Sequence, residues 1–234
     1  MMLGSILPMS DARVVIVIPA FNEAVSVAAV VRGAISAGFE SVVVVDDGST
    51  DATAETARMA GALVVRHAVN RGAGAAVQTG LEAAAKLGAE AVVTLDADGQ
   101  HSPAEIGRVL APVLDGRADL SIGARLIERN RMPAIVRLFN QAANTVTWAL
   151  CGRWYKDSQS GFRAWSRRAM ERIRIASSGY EFCSEIGREA ARHRLAVVEV
   201  PVTAIYSRRS AMKGQGYATG LETVFKLMVR SLMR

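Results

Sequence analysis

The sequence predicts an α/β fold: one mostly parallel sheet, covered by helices on both faces, in a single domain. Three observations carry this. Short apolar, β-branched runs alternate with helical stretches from Arg13 to Gly123. The runs are continuously apolar rather than alternating, as in strands buried on both faces. Three of them end in polar groups, Asn22-Glu23, Asp46-Asp47 and Asp96-Asp98. In parallel sheets with crossover helices, all such ends fall along one edge, where ligands bind.

Taken in order, Arg13 to Ile18 is a strand that Pro19 is expected to stop, and Ala24 to Ala37 a helix ended by Gly38. Ser41 to Val45 is a second strand, running into Asp46-Asp47-Gly48-Ser49-Thr50-Asp51 and a helix to about Met59. There an acid of the pair, with Ser49 and Asp51, could instead simply cap the helix. Leu63 to Arg66 is the third strand and Gly72 to Leu87 the third helix. Ala91 to Leu95 is the fourth strand. It runs into the acidic turn Asp96-Ala97-Asp98-Gly99-Gln100, then Ser102-Pro103, an N-cap with proline at the first helical position. A helix to Leu114 and a strand at Ala118 to Gly123 follow. Beyond Gly123 the alternation fails. Pro133 to Leu150 reads as a helix, Trp154 to Arg163 as a polar loop, Tyr180 to Arg194 as a helix, and Ala196–Val200 and Val202–Tyr206 as strands.

Bulk properties narrow the function. The 234 residues suit one large α/β domain, and half of them are hydrophobic. The net charge of +6 favours anionic partners. Nucleic acid is not expected: aromatics are 6 % of the chain and are not interleaved with the basic residues. The two cysteines, Cys151 and Cys183, lack metal spacing and read as packing residues of a reduced cytoplasmic protein. No apolar run reaches the ~18 residues of a membrane span, and Met1 to Ser10 does not read as a secretory signal.

The acidic turn suggests chemistry. Two carboxylates one residue apart, just beyond a strand end, suit a hard divalent cation that shares its remaining positions with water and phosphate. An ordinary connection with two solvated aspartates is the competing reading.

Several blocks in this order resemble the family 2 glycosyltransferases of the GT-A fold. They are Pro19-Ala-Phe-Asn-Glu23, Val45-Asp-Asp-Gly-Ser-Thr-Asp51, Asn70-Arg-Gly-Ala-Gly-Ala-Ala and Asp96-Ala-Asp98. Gly123-Ala-Arg125, Asp157-Ser-Gln-Ser-Gly-Phe-Arg163, Gly179 to Ile186 and Glu199-Val-Pro201 resemble the dolichyl-phosphate and polyprenyl-phosphate sugar transferase branch. Phe21 departs from the usual Tyr, and Ser207 to Lys213 from the usual basic motif.

The resemblance implies an inverting, metal-dependent hexosyltransferase that takes a sugar from a UDP- or GDP-sugar to a polyprenyl phosphate. A soluble or glycan acceptor in cell-envelope polysaccharide synthesis is the alternative. It implies Mg²⁺ or Mn²⁺ at Asp96, Asp98 and Gln100. It places Pro19, Ala20, Glu23, Asp46, Asp47, Arg71, Asp96 and Ala97 around the nucleotide-sugar. Arg125, Arg137, Arg209 and Lys213 would hold the acceptor phosphate, which guanidinium forks suit. Arg125 and Asp157 are the catalytic candidates. Asp157 would be a base or an orienting group, or else a loop residue bonded to Ser160 or Arg163. His101 is expected beside the acid pair, and His67 and His193 as ordinary core or surface residues. A nucleotidyltransferase would want a glycine-rich basic loop after the first strand, where this chain has Phe21-Asn22-Glu23-Ala24.

The expected organisation is an N-terminal extension (1–12), a catalytic domain (13–213, with donor half 13–124 and acceptor half 125–213) and a C-terminal amphipathic helix (214–234). In that helix Glu222, Lys226, Arg230 and Arg234 form one charged stripe, opposite Leu221, Val224, Phe225, Met228 and Leu232. The helix suits peripheral attachment to the inner face of the cell membrane, each basic residue adding about 1 kcal/mol. It equally suits packing on its own domain or on a second subunit, so a homo-oligomer stays among the expectations.

Overall fold

A computed structural model describes residues 13–125, 141, 144–145, 148, 152, 154–179 and 181–205. The expectations for 1–12, Arg137, Cys151, Arg209, Lys213 and the C-terminal helix lie outside the described residues. Of the helix expected from Pro133 to Leu150, Gln141, Asn144, Thr145 and Trp148 are described, and they are helical.

The first half alternates as the sequence predicts. β1 (Val14–Ala20), β2 (Val42–Asp46), β3 (Leu63–Arg66), β4 (Ala91–Thr94) and β5 (Leu120–Ala124) are separated by α1 (Val27–Ser36), α2 (Thr53–Met59), α3 (Ala73–Lys86) and α4 (Ile106–Leu114). A 3₁₀ turn at Pro103–Glu105 opens α4. β6 (Arg163–Ser166), α5 (Arg167–Arg172), α6 (Phe182–Arg192) and β7 (Val197–Pro201) complete the described elements.

They form one seven-stranded sheet in the order β3-β2-β1-β4-β6-β5-β7. Every pairing is parallel except the two made by β6, which is antiparallel to β4 and to β5. The core forms two layers set by the period of two along each strand. One layer holds Val15 and Val17 together with Val77 and Leu81 of α3 and Ile186 of α6. The other holds Ile16 and Ile18 together with Val27 and Val31 of α1 and Ile106 and Leu110 of α4.

The chain departs from expectation in three places, one in the first half and two in the second. β1 does not stop before Pro19 but runs through it to Ala20. Residues 16 and 20 bond on the β2 side, and Val17 on the β4 side. Pro19 therefore turns its nitrogen, which has no hydrogen to donate, to the β4 side, beyond the last paired residue of β4. The loop expected from Trp154 ends one residue earlier, at Phe162, and Arg163 opens β6, a four-residue strand too short to announce itself. The two strands expected after Ala196 are one, β7, followed by a single antiparallel bridge between Ala204 and His101.

β6 positions the site. Because it runs against β4 and β5, its first residue, Arg163, lies opposite Thr94 and Ile122, near the carboxyl ends of those strands. The loop entering β6, residues 157–162, is thereby delivered to the rim where the acidic turn and Arg125 emerge.

Candidate active site

The rim is assembled from five segments. The first two stitch together. Asn22 takes a left-handed backbone (φ 54°), and its N–H donates to Ser49 Oγ at 2.9 Å. The Thr50 N–H donates to Asn22 Oδ1 at 3.0 Å, and the Glu23 N–H to Thr53 Oγ1 at 2.8 Å. Asp46 is fully buried. It accepts the Ser49 N–H at 2.9 Å and pairs with Arg66 at 3.0 Å. Asp46 therefore holds the turn after β2, its carboxylate turned to Ser49 and Arg66.

Asp47 reaches the other way, to the third segment. Its Oδ1 lies 2.7 Å from His67 Nδ1 and accepts the Arg71 N–H at 2.9 Å. Its Oδ2 accepts the Gly72 N–H at 2.7 Å. Arg71 therefore meets Asp47 through its backbone, while its exposed side chain borders a groove of about 450 Å³ with Gln78, Thr79, Glu82, Ser177 and Ser178. Gly74 serves packing: a Cβ there would sit 2.0 Å from the Ser177 carbonyl oxygen.

The fourth segment is the acidic turn. Ala97 is buried; Asp96, Asp98 and Gln100 are half-buried. Asp98 is fixed by Gln100, whose N–H donates to Oδ1 at 2.9 Å and whose amide Nε2 donates to Oδ2 at 2.7 Å. Gln100 thus presents nitrogen to Asp98, and its oxygen would have to turn inward to serve as a ligand. The Asp96 carboxyl is pushed up to about 6 by burial and then by the Asp98 charge, against Arg125 and Arg163. With 40 % of its side-chain surface open, water screens part of that push. Burial also raises Asp98, as does Glu23, against the two Gln100 hydrogen bonds and Arg125. His101 packs on Phe162 with ring centroids 5.2 Å apart. Burial first, then Arg125, lowers it to about 3, so it is a neutral imidazole, 3.7 Å from Asp96 Oδ2.

The fifth segment pairs Arg125 with Asp157. Asp157 Oδ2 accepts the Arg125 N–H at 3.0 Å and its Nε–H at 2.8 Å; Oδ1 accepts Nη2–H at 3.0 Å. The Asp157 carboxylate therefore bonds Arg125, while the Asp157 backbone carbonyl accepts the Ser160 N–H at 3.4 Å. Burial alone would raise its carboxyl; the Arg125 charge and hydrogen bonds overcome this and hold it below the ordinary value. Glu199 accepts the N–H groups of Lys156 and Asp157 at 2.8 and 3.0 Å. Gly161 leaves room for the acid pair: a Cβ there would meet Asp96 Oδ1 at 2.1 Å. Arg163 is buried and donates to the Ser158 carbonyl at 2.7 Å, bracing the same loop. The Ile205 N–H donates to the Gln100 carbonyl at 2.8 Å, so the described chain ends beside the acidic turn.

Two half-buried carboxyls whose proton affinity is raised by burial first, and then by neighbouring carboxylates, Asp98 acting on Asp96 and Glu23 on Asp98, fit a cation that would share them. Among the described residues no group of three or more His, Cys, Asp and Glu is placed to hold a metal ion. The acid pair would therefore take an ion together with phosphate oxygens and water. Sequence reading missed His67, Gly161 and Arg163 as parts of this rim. Only Gly161 and Arg163 carried a signal, lying within the Asp157–Arg163 block.

Comparison with known proteins identifies the family. The model of glycosyl transferase family 2 matches residues 15–174. The UDP-N-acetylglucosamine–dolichyl-phosphate N-acetylglucosaminyltransferase of Methanococcus voltae is 30 % identical, over 94 % of this chain and 97 % of that one. The polyprenol monophosphomannose synthase of Mycolicibacterium smegmatis is 34 % identical, over 82 % and 77 %. Among solved structures, glucosyl-3-phosphoglycerate synthase from Mycobacterium tuberculosis, in complex with Mn²⁺ and UDP-glucose, superposes with a TM-score of 0.64. It is 25 % identical, over 92 % of this chain and 79 % of that one.

Proposed function

Because the chain belongs to glycosyl transferase family 2, we propose that it moves a sugar from a nucleoside-diphosphate sugar to a polyprenyl or dolichyl phosphate, with inversion at the anomeric carbon. The observation that carries this is Arg125. Its guanidinium, fixed by buried Asp157, lies close enough to the acid pair for its charge to act on both Asp96 and Asp98. An anionic acceptor drawn to Arg125 would thus stand beside the place where a diphosphate leaves. Relatives named for dolichyl phosphate and polyprenol acceptors support the reading.

In this reading one acceptor phosphate oxygen forms a bond to the anomeric carbon as the bond to the donor diphosphate breaks in line. A phosphate monoester is already largely ionised at neutral pH, its second pKa being about 6, so the step needs no strong base. Asp157, held below the ordinary range and occupied by Arg125, serves as a positioning residue. A divalent cation, when bound, neutralises charge on the leaving diphosphate. Asp96 and Asp98 would hold it, with Gln100 keeping Asp98 in place. Peripheral membrane contact would bring the lipid acceptor to the rim; no helix among the described residues is long and apolar enough to cross a membrane.

The test presents labelled UDP- and GDP-sugars with Mn²⁺ and a polyprenyl phosphate in detergent. Label moves into the organic phase, and EDTA stops it. A second reading, transfer to a soluble phosphorylated acceptor, is favoured by the likeness to glucosyl-3-phosphoglycerate synthase. Label that stays aqueous with every donor, while 3-phosphoglycerate accepts it, would replace the lipid acceptor with that one.

The raised Asp96 carboxyl also sets a pH dependence. Its affinity for a proton exceeds that of an ordinary carboxylate, so below about pH 6 a cation must displace that proton to bind. Mn²⁺-dependent nucleotide binding is expected to weaken about ten-fold for each pH unit below that value. Calorimetry at pH 5, 6 and 7.5 measures it; equal affinity at all three contradicts the assignment.

A further inference from the structure

We infer that Asn144 is a positioning residue for the acceptor side: it fixes the backbone on both sides of Asp157 and, through Asp157, the Arg125 guanidinium. This rests on the reading of Arg125 given above and extends it to a residue outside the rim. Asn144 lies in the helical stretch that also carries Gln141 and Trp148, and it is 2 % exposed. Its Nδ2 donates to the Lys156 carbonyl at 2.8 Å. Its Oδ1 accepts the Ser158 N–H at 3.0 Å and the Ser158 hydroxyl at 2.7 Å.

Those partners determine which way the amide faces. A backbone carbonyl only accepts and a backbone N–H only donates, so the amide nitrogen must meet Lys156 and the oxygen Ser158. Bonding the carbonyl of one residue and the N–H of the second residue after it is what a parallel neighbouring strand does. One side-chain amide therefore stands in for a strand that this loop lacks, and Asp157 is the residue between its two backbone bonds.

The rest of the clamp comes from the sheet. Glu199 on β7 accepts the Lys156 and Asp157 N–H groups, and Arg163 on β6 donates to the Ser158 carbonyl. From this held backbone the Asp157 side chain bonds Arg125 with both oxygens. A rotation about residue 157 would carry the guanidinium away from the acid pair. The residue type matters at 144, because the loop needs a donor and an acceptor side by side. Asp would turn an oxygen to the Lys156 carbonyl, and Ala would leave both backbone groups without this partner.

The test measures transfer from a UDP- or GDP-sugar with Mn²⁺ to polyprenyl phosphate in detergent, for Asn144→Ala, Asp157→Asn and the double variant of the full chain. Asn144→Ala is expected to raise the acceptor KM about ten-fold and to leave the donor KM within about two-fold, the mark of a small misplacement on one side of the site. Because Asn144 acts through Asp157, the double variant should lose no more than the roughly hundred-fold of Asp157→Asn alone. A loss of about a thousand-fold, the product of independent effects, overturns the inference. An equal rise in donor and acceptor KM, as a general structural role would give, also overturns it. Should the Ala or the double variant not fold, Asn144→Asp decides. It keeps an oxygen toward Ser158 and lacks the donor toward Lys156, so a wild-type acceptor KM overturns the inference. Wild-type transfer to 3-phosphoglycerate alone replaces the lipid acceptor, and the same three variants on that acceptor then decide the inference. Transfer to neither acceptor overturns the acceptor reading and this inference together.

Discussion

Replacing Asp98 by Asn lowers sugar transfer by roughly a thousand-fold and leaves thermal stability unchanged or raised. The two effects have one origin. In the metal-free chain the Asp98 carboxyl lies above its ordinary value, burial being the largest cause and Glu23 adding to it. A carboxyl raised on folding opposes the folded state at neutral pH, and its removal relieves that strain. The charge is retained because it would grip a cation, which contributes several kcal/mol to neutralising a departing diphosphate. About 4 kcal/mol corresponds to the thousand-fold loss, at 1.36 kcal/mol per decade. An amide keeps one oxygen for the Gln100 N–H and turns its NH₂ group to the Gln100 side chain, whose own amide oxygen accepts from it once that amide rotates. Transfer assays and metal-free melting curves read both effects. Activity within ten-fold of wild type would remove Asp98 from the donor site. A large fall in melting temperature would make it a structural residue of the turn.

Why the acid turn was legible and the acceptor side was not follows from chain geometry. Asp96 and Asp98 sit at the end of a strand whose four residues are all buried, and a continuous apolar run followed by charge is visible in the string. The parallel order also follows from alternation, because each crossover is local. β6 breaks that rule. Arg163 is a buried charge at the head of a four-residue strand that lies between β4 and β5, about forty residues of chain beyond β5 and antiparallel to both. Nothing within a short window distinguishes it from a polar loop. His67 was missed for the same reason: its partners, Asp47 and Thr79, are 20 and 12 residues away and come together only when β2 and α3 pack. Asp46 and Asp47 show how far two neighbours can part. The Asp-Asp pair reads as two ligands, but successive residues beyond a strand point to opposite sides. One acid faces Ser49 and Arg66, and the other faces the start of α3.

Asp157→Asn is expected to cost about 3 kcal/mol of stability and about a hundred-fold in transfer. Removing one partner of a buried ion pair leaves the other charge uncompensated, which typically costs 3–5 kcal/mol. Here Asp157 is wholly buried and the Arg125 side chain is 14 % exposed. Asn retains one oxygen for the three donors that Arg125 now directs at Asp157, and its NH₂ group repels the guanidinium. Arg125 then loses the orientation that points its charge at the acid pair, and the loss should appear chiefly in the acceptor KM. The wild-type pair has its own pH signature. A carboxyl held below its unfolded value contributes stability above the unfolded pKa of ~3.9, and that stability is lost as pH falls toward the folded value. Wild-type and variant melting temperatures should therefore converge as the medium becomes more acid than about pH 4. The acid limb of the rate profile separates positioning from base catalysis. If Asp157 only orients Arg125, the limb keeps its midpoint in the variant and the whole curve drops. If Asp157 takes a proton from the acceptor, the limb disappears with it, and the occupied carboxylate between Arg125 and the 157–162 loop would have to open during turnover.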